Sequence, residues 1–246
     1  MKIALLIIDP QNDFVNPKGN LYIPGAEKGI EEINKFIGEK GKEISKIYIS
    51  QDTHQAIHIG HSKWWKPEPE EFTTITLQDV KNKIYLPRFY TTQRDIIGYI
   101  NSLPDKKHTI WPEHCLEGSW GWCFPESLVK TLNDWSYKKY GKKYEIVQKG
   151  MNPNKEMYSV FSYANSNPDL LKYNTLLKEL SGYDKIYISG FAKDVCVAWS
   201  VKDMIVCGKF NDKLVFLNKC MIGLNSDSEM LKIYENAINN NGAVWE

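Results

Sequence analysis

Short apolar runs alternate with stretches of helical period along this chain. Residues 3–8 form a continuous apolar run, rich in branched side chains and closed by Asp9-Pro10. This is the pattern of a strand buried on both faces. Ile30, Ile33, Phe36 and Ile37 then fall at helical spacing and predict a helix over 26–37. Residues 46–50 predict a second strand, 108–111 a third, 144–148 a fourth, 185–188 a fifth and 213–217 a sixth. Helices are expected over 91–103, from Pro125 to about 140, over 168–181, from 197 to 204 and over 227–239. Pro125 suits a first helical turn. Residues 62–89 carry Trp64, Trp65, Pro67, Pro69 and Phe72 and no long element; together with the residues up to 106 they read as an insertion or lid at about 62–106.

Strands alternating with helices predict an α/β fold: a parallel sheet with helices on both faces. A chain of 246 residues without a break in composition reads as a single domain over 1–246. Lys+Arg number 31 and Asp+Glu 30, a net charge of +1. That balance argues against nucleic acid or an anionic membrane as partner. The five cysteines are odd in number, contain no C-x-x-C pair and fit a reducing compartment. The N-terminal apolar run is too short for a signal segment and ends in Asp9, and no run approaches a membrane span. A cytoplasmic protein is expected.

The polar residues of interest recur at one place, the C-terminal end of a strand. Asp9 follows the first strand, Asp52 and His54 the second, His114 the third, Lys149 the fourth and Cys196 the fifth. In open α/β sheets this edge is where ligands bind. Gly190 permits a sharp exit from its strand, Asp194 suits an N-cap, and Cys196 then falls in a first helical turn, where a thiolate is favoured. Asp9, Lys149 and Cys196 form a candidate nucleophile unit. A carboxylate can take the thiol proton, an ammonium favours the thiolate, and N–H groups of the turn can hold an oxyanion.

Asp52, His54 and His114 form a candidate metal set. One carboxylate with imidazoles suits one divalent ion, Zn²⁺ first, with Mn²⁺ or Fe²⁺ as alternatives. All five histidines lie between 54 and 114, and His58 and His61 compete as additional ligands or pocket residues; spacing does not separate them. His-Glu-x-x-His is absent, so a zincin protease is not suggested.

These segments resemble the isochorismatase-like cysteine hydrolases, nicotinamidase branch. Residues 6–14 (LIIDPQNDF) resemble the opening strand and catalytic aspartate, and Asp52-Thr53-His54 the metal-binding D-x-H. Residues 111–121 (WPEHCLEGSWG) resemble the segment carrying the third metal ligand, Lys149-Gly150 the catalytic lysine, and residues 190–197 (GFAKDVCV) the nucleophile motif. The resemblance implies a three-layer α/β/α sandwich on a six-stranded parallel sheet. It implies a cis peptide between Phe191 and Ala192, an oxyanion hole from the Ala192 and Cys196 N–H groups, and aromatic walls from Phe14, Trp111 and Tyr158. The implied activity is amide hydrolysis, nicotinamide to nicotinate and ammonia, through a Cys196 thioester. A small-molecule amide as partner and a homo-oligomeric state are implied with it. Lys193, Gln55 and the long aromatic stretch depart from the family pattern. The alternatives are a related hydrolase of another small amide or carbamoyl substrate, a metal-free member, and a non-catalytic scaffold.

Overall fold

In a computed structural model, which describes residues 1–89, 91–103, 105–165, 167–225 and 228–246, six parallel strands form one sheet. They are β1 (Ile3–Ile8), β2 (Lys46–Asp52), β3 (Glu145–Lys149), β4 (Lys185–Phe191), β5 (Leu214–Ile222) and β6 (Val244–Trp245). Their spatial order is β6-β5-β4-β1-β2-β3. The order reverses between β1 and β4, which is where a doubly wound sheet opens a crevice.

β1 is central and wholly buried, and its side chains feed two cores alternately. Ile3, Leu5 and Ile7 pack under α1 (Ala26–Lys40) and α3 (Glu126–Lys138). Ala4, Leu6 and Ile8 pack under α4 (Thr175–Leu180), α5 (Ala198–Cys207) and α6 (Lys232–Asn241). The period-2 alternation of a strand therefore serves both helical layers, which is why no polar residue interrupts the run. The result is the expected three-layer sandwich.

A third apolar cluster lies beside the sheet. Trp64, Trp65, Ile75, Val80, Ile96, Ile100 and Ile110 bury one another there. Its elements are short: antiparallel pairs Trp65–Lys66 with Leu86–Pro87 and Thr74–Thr76 with Lys107–Thr109, a helix Leu77–Lys81, and α2 (Gln93–Ser102). Reciprocal side-chain caps, Thr76 with Asp79 and Thr92 with Asp95, start the two helices.

Several sequence expectations are corrected. The strand expected at 108–111 does not enter the main sheet; Lys107–Thr109 pairs antiparallel with Thr74–Thr76. His108 and Ile110 are held by the third cluster instead, with His108 Nε2 2.9 Å from the Ile59 carbonyl oxygen. The sixth strand of the sheet is β6, two residues long and exposed on its side chains, too brief to show a pattern. The helix expected over 168–181 divides into a 3₁₀ segment, Pro168–Tyr173, and α4, because Asn174 caps the second piece through Leu177 N–H. The last helix runs over Lys232–Asn241, three residues of 3₁₀ turn preceding it; position 227, where its start was expected, lies outside the described residues.

Candidate active site

The C-terminal edge of the sheet gathers the candidate groups. The chain leaves β1 through Asp9, whose φ of 46° lies in the left-handed region that aspartate tolerates better than most residues. The β1–β2 register sets Ile7 opposite Ile49, so Ser50 comes level with the end of β1. Its Oγ accepts from Asp9 N–H at 3.0 Å and donates to Asp9 Oδ1 at 2.5 Å. On the other side of β2, Asp52 pairs in register with Lys149 of β3.

Lys149 is the hub. Its ammonium is 1% exposed and lies 3.0 Å from Asp9 Oδ2 and 3.0 Å from Asp52 Oδ1. It donates to the Met157 carbonyl at 3.0 Å and sits 3.6 Å from Cys196 Sγ. Burial alone would neutralise a lysine. Here Asp52 and Asp9 outweigh that penalty and hold Lys149 well above its ordinary range, so it stays charged. Burial pushes the Asp9 carboxyl up, against the pull of Lys149. Burial likewise pushes the Cys196 thiol well up, with Lys149 opposing and Asp9 adding a hydrogen bond to the protonated form.

The turn bearing Cys196 differs from the sequence reading in three respects. Gly190, at φ 122°, passes so close to β1 that a Cβ would collide with the Ile8 backbone. The Phe191–Ala192 peptide is cis, as the resemblance implies. The chain then makes one wide π-helical turn, Lys193–Val197, before α5. Cys196 therefore lies ahead of the regular helix, and its resting form is the thiol, not the expected thiolate, because burial dominates. Asp194 does not cap this helix; its carboxylate accepts Leu224 and Asn225 N–H instead. The Ala192 carbonyl accepts Val195 and Val197 N–H, each at 3.1 Å, while no protein acceptor for the Ala192 N–H is found among the described residues.

The metal set also converges. His54 Nδ1 lies 3.1 Å from the Gly150 carbonyl and His114 Nδ1 2.7 Å from the Pro112 carbonyl. A carbonyl only accepts, so each Nδ1 carries a proton and each Nε2 is left to face Asp52 Oδ2, at 3.1 and 3.5 Å. One donor atom from each of these buried residues lies within 4.8 Å of the others, a set that fits a divalent ion. Burial works against both charges, yet His54 and Lys149 hold Asp52 well below the carboxylate range, and Asp52 lifts His54 above the usual imidazole range against the opposing charge of Lys149.

His58 and His61 stand beside this set, 4.1 and 5.4 Å from the His54 ring centre. Burial keeps both neutral, pushing His61 down to about 2. His58 Nδ1 accepts Gly60 N–H at 3.1 Å, so its proton is on Nε2, the reverse of His54 and His114.

A cleft opens over Cys196, Ala192, Asp52 and His114. Phe14, Trp111 and Tyr158 all line it, and Trp111 Nε1 donates to Tyr158 Oη at 3.2 Å. Leu21, Ile23 and Val195 add apolar surface to the wall. Three residues escaped the sequence reading. Ser50 supports Asp9 across the sheet, Glu156 is a buried carboxylate on the cleft wall, and Leu224 closes one side. Of these only Ser50 left a trace in sequence, as a polar residue at a strand end.

No family profile matches the chain. It is 30% identical over 207 residues to a nicotinamidase of Acinetobacter baylyi, covering 83% of this chain and 75% of the relative. It is 29% identical over 196 residues to the Saccharomyces cerevisiae nicotinamidase, covering 79% and 77%. The crystal structure of the yeast nicotinamidase Pnc1p bound to the inhibitor nicotinaldehyde superposes with a TM-score of 0.69 at 25% identity, over 99% of both chains. Shared sequence over four fifths of its length, together with a shared fold over all of it, makes the chain a member of the nicotinamidase family.

Proposed function

We propose that the protein is a cysteine amidohydrolase that converts nicotinamide and water to nicotinate and ammonia through a Cys196 thioester. The observation that carries this reading is the position of the Lys149 ammonium, 3.0 Å from both Asp9 and Asp52 and 3.6 Å from Cys196 Sγ, beneath an aromatic cleft.

Cys196 rests as a thiol, and Asp9 takes its proton as Sγ attacks the amide carbon. Lys149 stabilises the charge while the proton moves, because burial makes its field strong. The oxyanion is held by the N–H groups of Ala192 and Cys196. Asp9 returns the proton to the departing nitrogen, the C–N bond breaks and ammonia leaves. Water then attacks the thioester, giving up a proton to Asp9; the C–S bond breaks, and Asp9 hands that proton back to sulfur. Phe14, Trp111 and Tyr158 hold the ring, and burial keeps the Tyr158 hydroxyl neutral.

Asp52, His54 and His114 would hold the divalent ion, zinc before manganese or iron, given two imidazoles and one carboxylate. When bound, the ion supplies a Lewis acid for a ring nitrogen. Residues 62–106 are part of the same reading as an insertion in a single domain. So are the cytoplasmic location and the homo-oligomer; among the described residues no helix is long and apolar enough to cross a membrane.

The test is ammonia release from nicotinamide, against Cys196→Ala, after chelation and after metal restoration. Release that falls on chelation, returns with zinc and is absent in Cys196→Ala supports the whole reading. No release in any state overturns nicotinamide as substrate.

A further inference from the structure

Two residues before Cys196, the Asp194 carboxylate is 4% exposed. Both its oxygens are used on one loop: Oδ1 accepts Leu224 N–H at 2.9 Å and Oδ2 accepts Asn225 N–H at 2.7 Å. Gly223 packs flat on the same carboxylate; a Cβ there would stand 2.8 Å from Asp194 Oδ1. This loop begins where β5 ends, at Ile222, and residues 223–225 belong to no helix or strand. The nucleophile turn is fixed from a second side, where Tyr234 Oη donates to the Lys193 carbonyl at 2.6 Å. Leu224, carried on the clamped loop, lines the cleft together with Val195 and Cys196 and is 37% exposed, at the rim.

From this we infer that Leu224 is a specificity-determining wall of the amide site and that Asp194 is the positioning residue that sets it. The inference rests on the amidase reading for its substrate class, a small aromatic amide. A carboxylate suits the clamp because it accepts on both oxygens. Asparagine in its place would present an NH₂ to one of the two N–H donors and lose that bond. A wall fixed in this way excludes bulk on the ring: one methyl in an apolar pocket changes selectivity by roughly 10–200-fold. Lys193, the departure noted in the nucleophile motif, lies outside this wall. Its ammonium donates to Asn218 at 3.0 Å and stands 4.6 Å from the centre of the Trp245 ring.

The experiment measures calorimetric binding of nicotinamide and of nicotinamides methylated at each ring carbon, in a Cys196→Ala background that lacks the nucleophile. Leu224→Ala is expected to weaken nicotinamide and to improve at least one methylated ring relative to it by about 10-fold or more. Asp194→Asn and Gly223→Ala, which loosen or wedge the clamp, are expected to shift the same ratio in the same direction. An unchanged ratio in Leu224→Ala overturns the wall. A shift in Leu224→Ala with none in Gly223→Ala or Asp194→Asn overturns the clamp. Turnover of nicotinamide by the unmodified protein is measured alongside, so failure of the amidase reading is seen separately.

Discussion

The Lys149 ammonium lies 3.0 Å from Asp52 Oδ1, and through that contact the nucleophile set and the metal set share one charge. Removing it leaves Asp9 buried without its cation and Asp52 with His54 as its remaining positive partner. Lys149→Met should cost about 3–5 kcal/mol of stability, or roughly 6–20 °C in Tm for a chain of this size. Amide hydrolysis should fall by roughly 10²–10⁴-fold. Zinc should bind about tenfold tighter or more, since a neighbouring positive charge is gone. Thermal unfolding and zinc titration on the same variant check both directions; looser zinc binding would show that Lys149 holds Asp52 in place rather than competing with the ion.

Cys196 provides the pH test. Burial raises its thiol well above the usual range, and the Lys149 charge opposes that. The thiolate fraction therefore grows as pH rises. Alkylation by iodoacetamide should be slow at pH 7 and increase about tenfold per pH unit toward pH 9. Exposed Cys123 serves as the internal reference in the same digest. Rapid labelling of Cys196 below pH 7 would mean that the resting group is already a thiolate.

Ser50 donates to Asp9 Oδ1 and accepts from Asp9 N–H, so its loss is felt twice. Ser50→Ala should cost about 1–3 kcal/mol. The Ser50 bond pulls the Asp9 carboxyl down while burial raises it. Without Ser50, Asp9 rises further, and the acid limb of kcat/KM should move to higher pH. A carboxyl raised on folding opposes stability once it ionises, and that opposition vanishes below its unfolded value of 3.8. The stability loss should therefore be larger at pH 7 than near pH 4, as denaturant titrations at the two values would read.

Much of this was legible because the doubly wound sheet leaves such strong marks. β1 could be read from residues 3–8 since both faces are buried, and Asp9, Asp52, Lys149 and Cys196 stand out as polar residues directly after such runs. What could not be read depends on partners distant in sequence. Asp194 resembles a helix cap locally, yet its partners lie 30 and 31 residues on. The Cys196 thiol resembles a thiolate locally, yet burial by the whole fold decides its proton. The segment at 108–111 has strand composition, and only the cluster around Trp65 and Ile75 shows which strand it joins.

The histidines can be separated by where their protons sit. In His54 and His114, Nδ1–H is committed to a backbone carbonyl and Nε2 faces Asp52; in His58, Nδ1 accepts Gly60 N–H, so Nε2 carries the hydrogen and has no lone pair to give. His58 Nε2 is buried without a hydrogen-bond partner among the described residues, which costs stability whether or not an ion is bound next to it. His114→Ala should therefore lose the ion, falling from about one equivalent to less than a tenth after dialysis, since two donors hold a divalent ion poorly. His58→Ala should keep close to one equivalent, with affinity changed by no more than about 10–100-fold, the range for a neighbour of the ligands. Metal content by mass spectrometry, read on folded protein of equal concentration, decides between them. Loss of the ion from His58→Ala as complete as from His114→Ala would mean that the His58 ring turns over to offer a lone pair when the ion binds.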